Sequence, residues 1–244
     1  MIDFYYWPTP NGWKVSIMLE ELGIKYRMIP VNISKGGQFT PEFLEISPNN
    51  RMPAIVDHDP PPEYDGKRVP IFESGAILLH LARKTGKFLA TDPLGEKETL
   101  EWVFWQVGNL GPMAGQHSHF WNYADGEHEY AATRYANEYN RCIGVLERRL
   151  EGRDWLAGGA YSIADMASWP WILIAKAMGQ PLDNFPNVSR WRSAIKERPA
   201  VQKGVDLGKD LRRTAPPSDE ERKLLYQQTA QSTSALAKKA SSKD

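Results

Sequence analysis

The chain of 244 residues holds a single cysteine, Cys142. No intramolecular disulfide can form from it, which suits a reducing cytoplasm. Cys142 sits among apolar residues of a helical stretch and reads as an inert packed thiol. Net charge is missing as well, because thirty lysines and arginines balance thirty acids. No field of one sign therefore recruits nucleic acid or an anionic membrane surface. No apolar run approaches the roughly 20 residues of a membrane span. The first residues, Met1-Ile2-Asp3-Phe4, enter a strand pattern at once and lack the basic region of a signal peptide. His117 and His119 invite a metal reading, but no carboxylate or cysteine completes a ligand set at close spacing, so no metal is expected.

What is present is size, aromatic surface and clear punctuation. The length is comfortable for two domains, and 41% hydrophobic with 25% charged residues is ordinary for a globular protein. Nine tryptophans supply surface of the kind used in apolar sites and subunit contacts. The stretch Ser47-Pro48-Asn49-Asn50-Arg51-Met52-Pro53 leads into the apolar run Ala54-Ile55-Val56. A proline there belongs at the first position of a strand, where its missing N–H costs nothing. Just before it, Met52 offers free main-chain groups to an extended peptide. The Met52–Pro53 bond is also the place where a cis peptide is least costly.

In order, Ile2 to Tyr6 reads as a buried strand closed by Pro8 and Pro10. Asn11-Gly12 opens a helix with Val15, Met18, Leu19 and Leu22 on one face, and Gly23 ends it. Tyr26 to Val31 is a second strand, and Thr40-Pro41 caps a short helix. Ala54 to Asp57 and Val69 to Phe72 form a hairpin across a proline-rich turn, followed by a helix carrying Ser74, Ile77, Leu78 and Leu81. The order βαβαββα, with a crossover first and an antiparallel pair last, is the thioredoxin-like plan. The expected architecture is thus an α/β domain over residues 1–87, a linker at 88–95 and an all-α domain over 96–213. In the second domain, Leu100, Val103, Phe104, Val107 and Leu110 form one apolar stripe, and Tyr135, Tyr139, Leu146 and Leu150 another. Ser162 and Asp165 read as a capping box that serves folding, and Trp169 to Leu173 as a buried helix in which Pro170 sets a kink. The tail, 214–244, is expected to be helical from Ser218 to Tyr226 and disordered after Ser232. Whether it folds over a site is left open.

Four spaced motifs carry a resemblance over about the first 210 residues: Pro8-Thr9-Pro10-Asn11-Gly12, Lys35-Gly36-Gly37-Gln38-Phe39, Ser47 to Pro53, and Phe72-Glu73-Ser74-Gly75. With them the chain resembles a cytosolic glutathione S-transferase. Within that superfamily it is similar to the bacterial nu class, which includes disulfide-bond oxidoreductases of the YfcG type and has fungal Ure2-like neighbours. The resemblance implies a cytoplasmic homodimer that binds glutathione, or its disulfide, as co-substrate. It departs from the many members that carry Tyr, Ser or Cys at the catalytic place, and no cysteine lies near the N-terminus to form a mixed disulfide.

The resemblance instead implies that Thr9 and Asn11 hydrogen-bond the glutathione sulfur. A helix N-terminus favours a thiolate, so the physics agrees, though both residues also read as simple caps. Tyr6 is the runner-up for thiol contact. For the rest of the tripeptide, Ser74 is implied for the γ-glutamyl carboxylate and Glu73 for the ammonium. Met52, beside Pro53, is implied for the cysteinyl main chain and Gln38 for a terminal carboxylate, Arg51 is placed to assist electrostatically, and Arg134 matches an arginine that reaches the glutathione site in YfcG-like relatives. Lys35-Gly36-Gly37 resembles an anion-binding loop only weakly. Trp7, Trp13, Trp105, Phe120, Tyr123 and Trp171 are candidates for an apolar acceptor pocket. The expected activity is glutathione-dependent disulfide reduction. An aryl thioether lyase is the second reading, and a non-catalytic Ure2-like binding module the third. The Asn/Gln-rich extension of such modules is not in this sequence.

Overall fold

The structure is a computed structural model that describes residues 1–124, 126–213, 215 and 217–241. Four strands form a sheet in the order β2-β1-β3-β4: β1 is Ile2–Tyr6, β2 Tyr26–Pro30, β3 Ala54–Asp57 and β4 Val69–Phe72. β1 runs parallel to β2 and antiparallel to β3, and β3 is antiparallel to β4. The crossover and the hairpin are those expected from the element order. Side chains alternate across β1. Ile2, Phe4 and Tyr6 enter the main core, while Tyr5 packs with Phe43, Ile46 and Met52 on the other face.

Helices α1 (Pro10–Leu22), α2 (Pro41–Ile46) and α3 (Ser74–Thr85) complete the first domain. Thr9 caps α1 and Thr40 caps α2, each followed by proline in the first turn. The helices that follow are α4 (Pro93–Trp105), α5 (Gly111–Asn122), α6 (Glu129–Arg149), α7 (Ile163–Leu173), α8 (Pro186–Lys196) and α9 (Pro199–Asp206). Asp92 caps α4, so the end of the expected linker belongs to that helix. A π-helical turn, Gln106–Leu110, joins α4 to α5 within the span of the expected apolar stripe.

One core runs through both domains, from Phe4 and Ile17 through Leu78 to Trp169 and Trp191. α7 lies at its centre, buried from Ile163 to Ile172, with Pro170 inside it. α9 presses on α1 where Gly204 lies: a Cβ there would stand 2.7 Å from the Ile17 backbone. Ser16 Oγ donates to the Gly204 carbonyl at 2.6 Å across the same contact. The domains are thus held as one packed body.

The tail differs from expectation. Its capped helix α10 (Asp219–Tyr226) forms as read, with Ser218 and Glu221 closing the capping box. From Ser232 to Ser241 the chain is part of a helix, α11 (Ala230–Ser241). Alanines and lysines there are strong helix formers, and α11 packs on α2 and on the 3-10 turn Gly37–Phe39. The tail positions Thr214, Pro216 and 242–244 lie outside the described residues.

Candidate active site

Three N-terminal elements converge on one cavity of about 700 Å³. The first is the start of α1, where Thr9 Oγ1 accepts the Gly12 N–H at 3.3 Å and donates to Met52 Sδ at 3.5 Å, just behind the cavity lining. Asn11, two residues after Thr9, lines the cavity. Gly12 is required by the close approach of its neighbours. A Cβ there would fall 2.4 Å from the Trp7 carbonyl oxygen and 3.0 Å from the Met52 methyl.

The second element is the loop before β3. The Met52–Pro53 bond is cis, Asn50 is held at φ 54°, and Ser47 Oγ ties the turn by donating to the Arg51 carbonyl at 2.8 Å. Asn49, Arg51, Met52 and Pro53 all border the cavity. The third element is the start of α3. Glu73, outside the helix, has φ 67°, a region that non-glycine residues occupy at a cost of roughly 1–3 kcal/mol and mainly at functional sites. Its carboxylate accepts from Asn49 Nδ2 at 3.5 Å, and the buried Ser74 follows it on the cavity wall.

The opposite wall comes from the helical domain and the tail: Gln106, Gly111, His119, Tyr123, Trp171, Leu225 and Tyr226 are among its residues. Tyr226 stacks on Tyr123 at 5.1 Å between ring centroids and leans on His119 at 5.1 Å. Burial, assisted by nearby His128, holds the His119 imidazole below its usual range. Arg51 Nη1 donates to Gln228 Oε1 at 2.9 Å, so the tail is also tied to the cis-proline loop. The tail closes one side of the cavity.

Several expected residues stand elsewhere. Gln38 is buried away from the cavity, its amide donating to the Ile33 carbonyl at 3.2 Å. Arg134 does not line the cavity either: its guanidinium is taken by Glu138, one turn along α6, at 2.6 Å. The Tyr6 hydroxyl donates to the Leu207 carbonyl at 3.0 Å, and burial raises its pKa strongly, so the runner-up for thiol contact is committed to structure. Of the acceptor-pocket candidates, Tyr123 and Trp171 reach the cavity. Phe120 instead stacks on Tyr135, Trp105 meets Trp102, and the Trp13 ring lies under Arg212. Gly36 lies beside Leu224 of α10, so the Lys35-Gly36-Gly37 turn seats the tail.

Cys142 is buried in α6, its thiol pushed up by burial, and no cysteine lines the cavity. His117 binds the Met178 carbonyl at 2.7 Å. Among the described residues no group of three or more His, Cys, Asp or Glu is placed to hold a metal ion.

Among the lining residues that the sequence did not single out, Lys14 and Gln106 stand out. Lys14 of α1 is buried, and its Nζ donates to Gln106 Oε1 at 2.7 Å and to Ser74 Oγ at 3.4 Å. Burial pulls Lys14 down to about 7, with the charge of Glu73 opposing. One signal was available, since Lys14 is the single charged residue between Asp3 and Glu20. Gln106 had no such signal. It reaches the cavity through the π-helical turn, a distortion frequent at functional sites.

The arrangement offers a helix start with short polar side chains, main-chain groups beside a cis proline, and an acid next to a hydroxyl at the start of α3. Such a site has the groups to receive an extended peptide-like ligand. Residues 1–83 match the glutathione S-transferase N-terminal domain, and residues 119–199 the corresponding C-terminal domain. The chain is 51% identical to the disulfide-bond oxidoreductase YfcG of Escherichia coli over 82% of its own length and 93% of the relative's. With YghU of the same organism, another disulfide-bond oxidoreductase, identity is 38% over 83% of this chain and 73% of the relative. A glutathione transferase from Pseudomonas putida, solved with one glutathione disulfide per subunit, superposes with a TM-score of 0.79 at 42% identity, covering 85% of this chain and 91% of the other. The chain belongs to the glutathione S-transferase family.

Proposed function

We propose that this protein is a nu-class glutathione transferase that reduces disulfides with glutathione. The observation that carries the proposal is the cavity in which Asn11, Met52–Pro53 and Glu73-Ser74 meet with no cysteine in its lining. The attacking thiolate then arrives with the ligand. Ser74 receives the γ-glutamyl carboxylate and Glu73 the ammonium, while Met52 pairs its main chain with the cysteinyl unit. The sulfur comes to the N-terminus of α1, where the Thr9 hydroxyl, the Asn11 amide and the helix dipole favour the thiolate. Bound glutathione thiolate attacks one sulfur of a disulfide, forming a mixed disulfide and expelling a thiolate, which takes up a proton. A second glutathione thiolate attacks the mixed disulfide, releasing the other thiol and glutathione disulfide. Two glutathiones are oxidised and one disulfide is reduced, so the electrons balance. The rate follows the thiolate fraction and the basicity of the leaving thiol.

The aromatic wall of Tyr123, Trp171 and Tyr226 supports a second reading, cleavage of aryl thioethers by the same thiolate. A cytoplasmic location agrees with the unpaired, buried Cys142. A homodimer agrees with large apolar side chains left exposed on one chain, such as Phe104 and Leu94 of α4. The deciding experiment is turnover of 2-hydroxyethyl disulfide with glutathione, coupled to glutathione reductase, beside conjugation of chlorodinitrobenzene. Disulfide turnover well above conjugation is expected. Conjugation far above disulfide turnover would overturn the reading and direct attention to aryl thioethers.

A further inference from the structure

Lys14 is a buried charge without a buried acid to match it. The residue is 2% exposed, and among the described residues no carboxylate comes within ion-pair distance of its ammonium. Buried charges are ordinarily paired, because leaving water uncompensated is expensive. Its two partners are neutral, Gln106 Oε1 and Ser74 Oγ. Gln106 is itself fully buried, and its Nε2 has no hydrogen-bond partner among the described residues. All three residues line the cavity.

The direction of these bonds has a consequence. An ammonium only donates, so Gln106 must turn its oxygen to Lys14 and its amide N–H groups away. Ser74 Oγ likewise accepts from Lys14, which frees its own O–H to donate outward. Lys14 thereby aligns two donors and one positive charge at a single end of the cavity. We propose that Lys14, with Gln106, is the positioning pair that sets this end of the cavity for a carboxylate, the γ-glutamyl carboxylate of glutathione, received at Ser74. The inference rests on the glutathione reading given above.

The charged groups on neighbouring elements are otherwise engaged. On α3, His80 and Lys84 bind Asp57 of β3; on α9, Lys203 binds Glu20; on α7, Asp165 takes the Trp191 N–H. Glu73 is the acid whose charge reaches Lys14, and Arg51 and His119 share the cavity. His119, held below the usual imidazole range, titrates beneath a window of pH 7 to 8.5. With burial pulling Lys14 to about 7, a bound carboxylate restores its proton across that window.

The test uses S-methylglutathione, whose blocked thiol releases no proton, titrated calorimetrically into the full-length protein at pH 7 and 8.5 in two buffers of different ionisation enthalpy. The amine of the ligand contributes at most a share fixed by titrating it free, and that share is subtracted. The dissociation constant of the unsubstituted protein is expected to rise about tenfold across the window, with close to one proton taken up per ligand at pH 8.5. Lys14→Met is expected to bind more weakly at pH 7 and to lose the extra proton uptake. Binding at pH 7 without proton uptake at pH 8.5 overturns the inference even if Lys14→Met does not fold, and it leaves the glutathione reading standing. No binding of S-methylglutathione at pH 7 overturns both.

Discussion

Of the helices that begin on a hydroxyl cap, α7 and α1 are put to opposite uses. At the start of α7, Asp165 accepts from the backbone N–H groups of Leu156 and Ser162, the Ser162 hydroxyl and the Trp191 indole, at 2.8 to 3.2 Å. Burial pushes its carboxyl up to about 6 against four bonds that favour the ionised form. No side of that group is left for a ligand. At the start of α1, Thr9 holds the Gly12 N–H in the same way, but Asn11 beside it opens on a cavity. Local chemistry is alike at the two helix starts. What differs is whether the next layer of the molecule supplies donors or leaves space. A capped helix start serves folding when its polar groups are all engaged within the protein, and serves a ligand when some face outward.

Substitutions at the two ends can break or sharpen that contrast. The largest effect is expected from Asp165→Ala, which strands several buried donors and removes about 3–5 kcal/mol of unfolding free energy, measured by urea denaturation. A loss under about 1 kcal/mol would show that α7 does not depend on this cap. Next comes Asn11→Ala, where loss of one hydrogen bond to a thiolate, about 1.5–3 kcal/mol, lowers disulfide turnover roughly 10- to 100-fold with stability nearly unchanged. Cys142→Ala is the control and is expected to leave turnover within about twofold. Equal losses in the two variants would sink the assignment of Asn11 to the site.

A smaller effect is expected at the tail. Tyr226→Ala removes the stack on Tyr123 and lowers kcat/KM for an aromatic disulfide roughly 2- to 10-fold, corresponding to about 0.5–1.5 kcal/mol. Turnover of 2-hydroxyethyl disulfide stays the same, and a uniform loss on both substrates would mean that the tyrosine supports the fold and not the acceptor. Least of all is expected from Arg134→Ala. Its pair with Glu138 is exposed and screened by solvent, so unfolding of the variant is expected to be essentially unchanged. Glutathione affinity measured on the same variant tells whether a second copy of the chain brings this arginine to a cavity that its own chain keeps it from.

The first domain was legible because its signals are local. Alternation and proline placed β1, β3 and β4 at the observed residues, Asn11-Gly12 marked the start of α1 to within a residue, and the Thr40-Pro41 pair marked that of α2. The residues singled out at the cis-proline loop and at Glu73-Ser74 do border the cavity, because each motif is a contiguous stretch whose backbone shape places its own side chains. Gln38 and Arg134 do not border the cavity of their own chain, for the complementary reason. A neighbour one or two turns away, the Ile33 carbonyl or the Glu138 carboxylate, captured a side chain that the motif alone left free. The tail after Ser232 looked too polar to order, yet good helix formers and a seat on Gly37–Phe39 ordered it.

Composition, periodicity and capping were enough to lay down the βαβαββα order, the helical second domain and the helix start on which Thr9 and Asn11 lie. These are effects that operate within a few residues of the chain. The cavity itself, the tail that walls it and the charge of Lys14 came from packing. Lys14 meets Gln106 from 92 positions away, and Arg51 meets Gln228 from 177. Burial and hydrogen-bond partnership are set by which distant segments the fold brings together, and those settle whether a lysine is a solvated charge or a buried one facing a ligand.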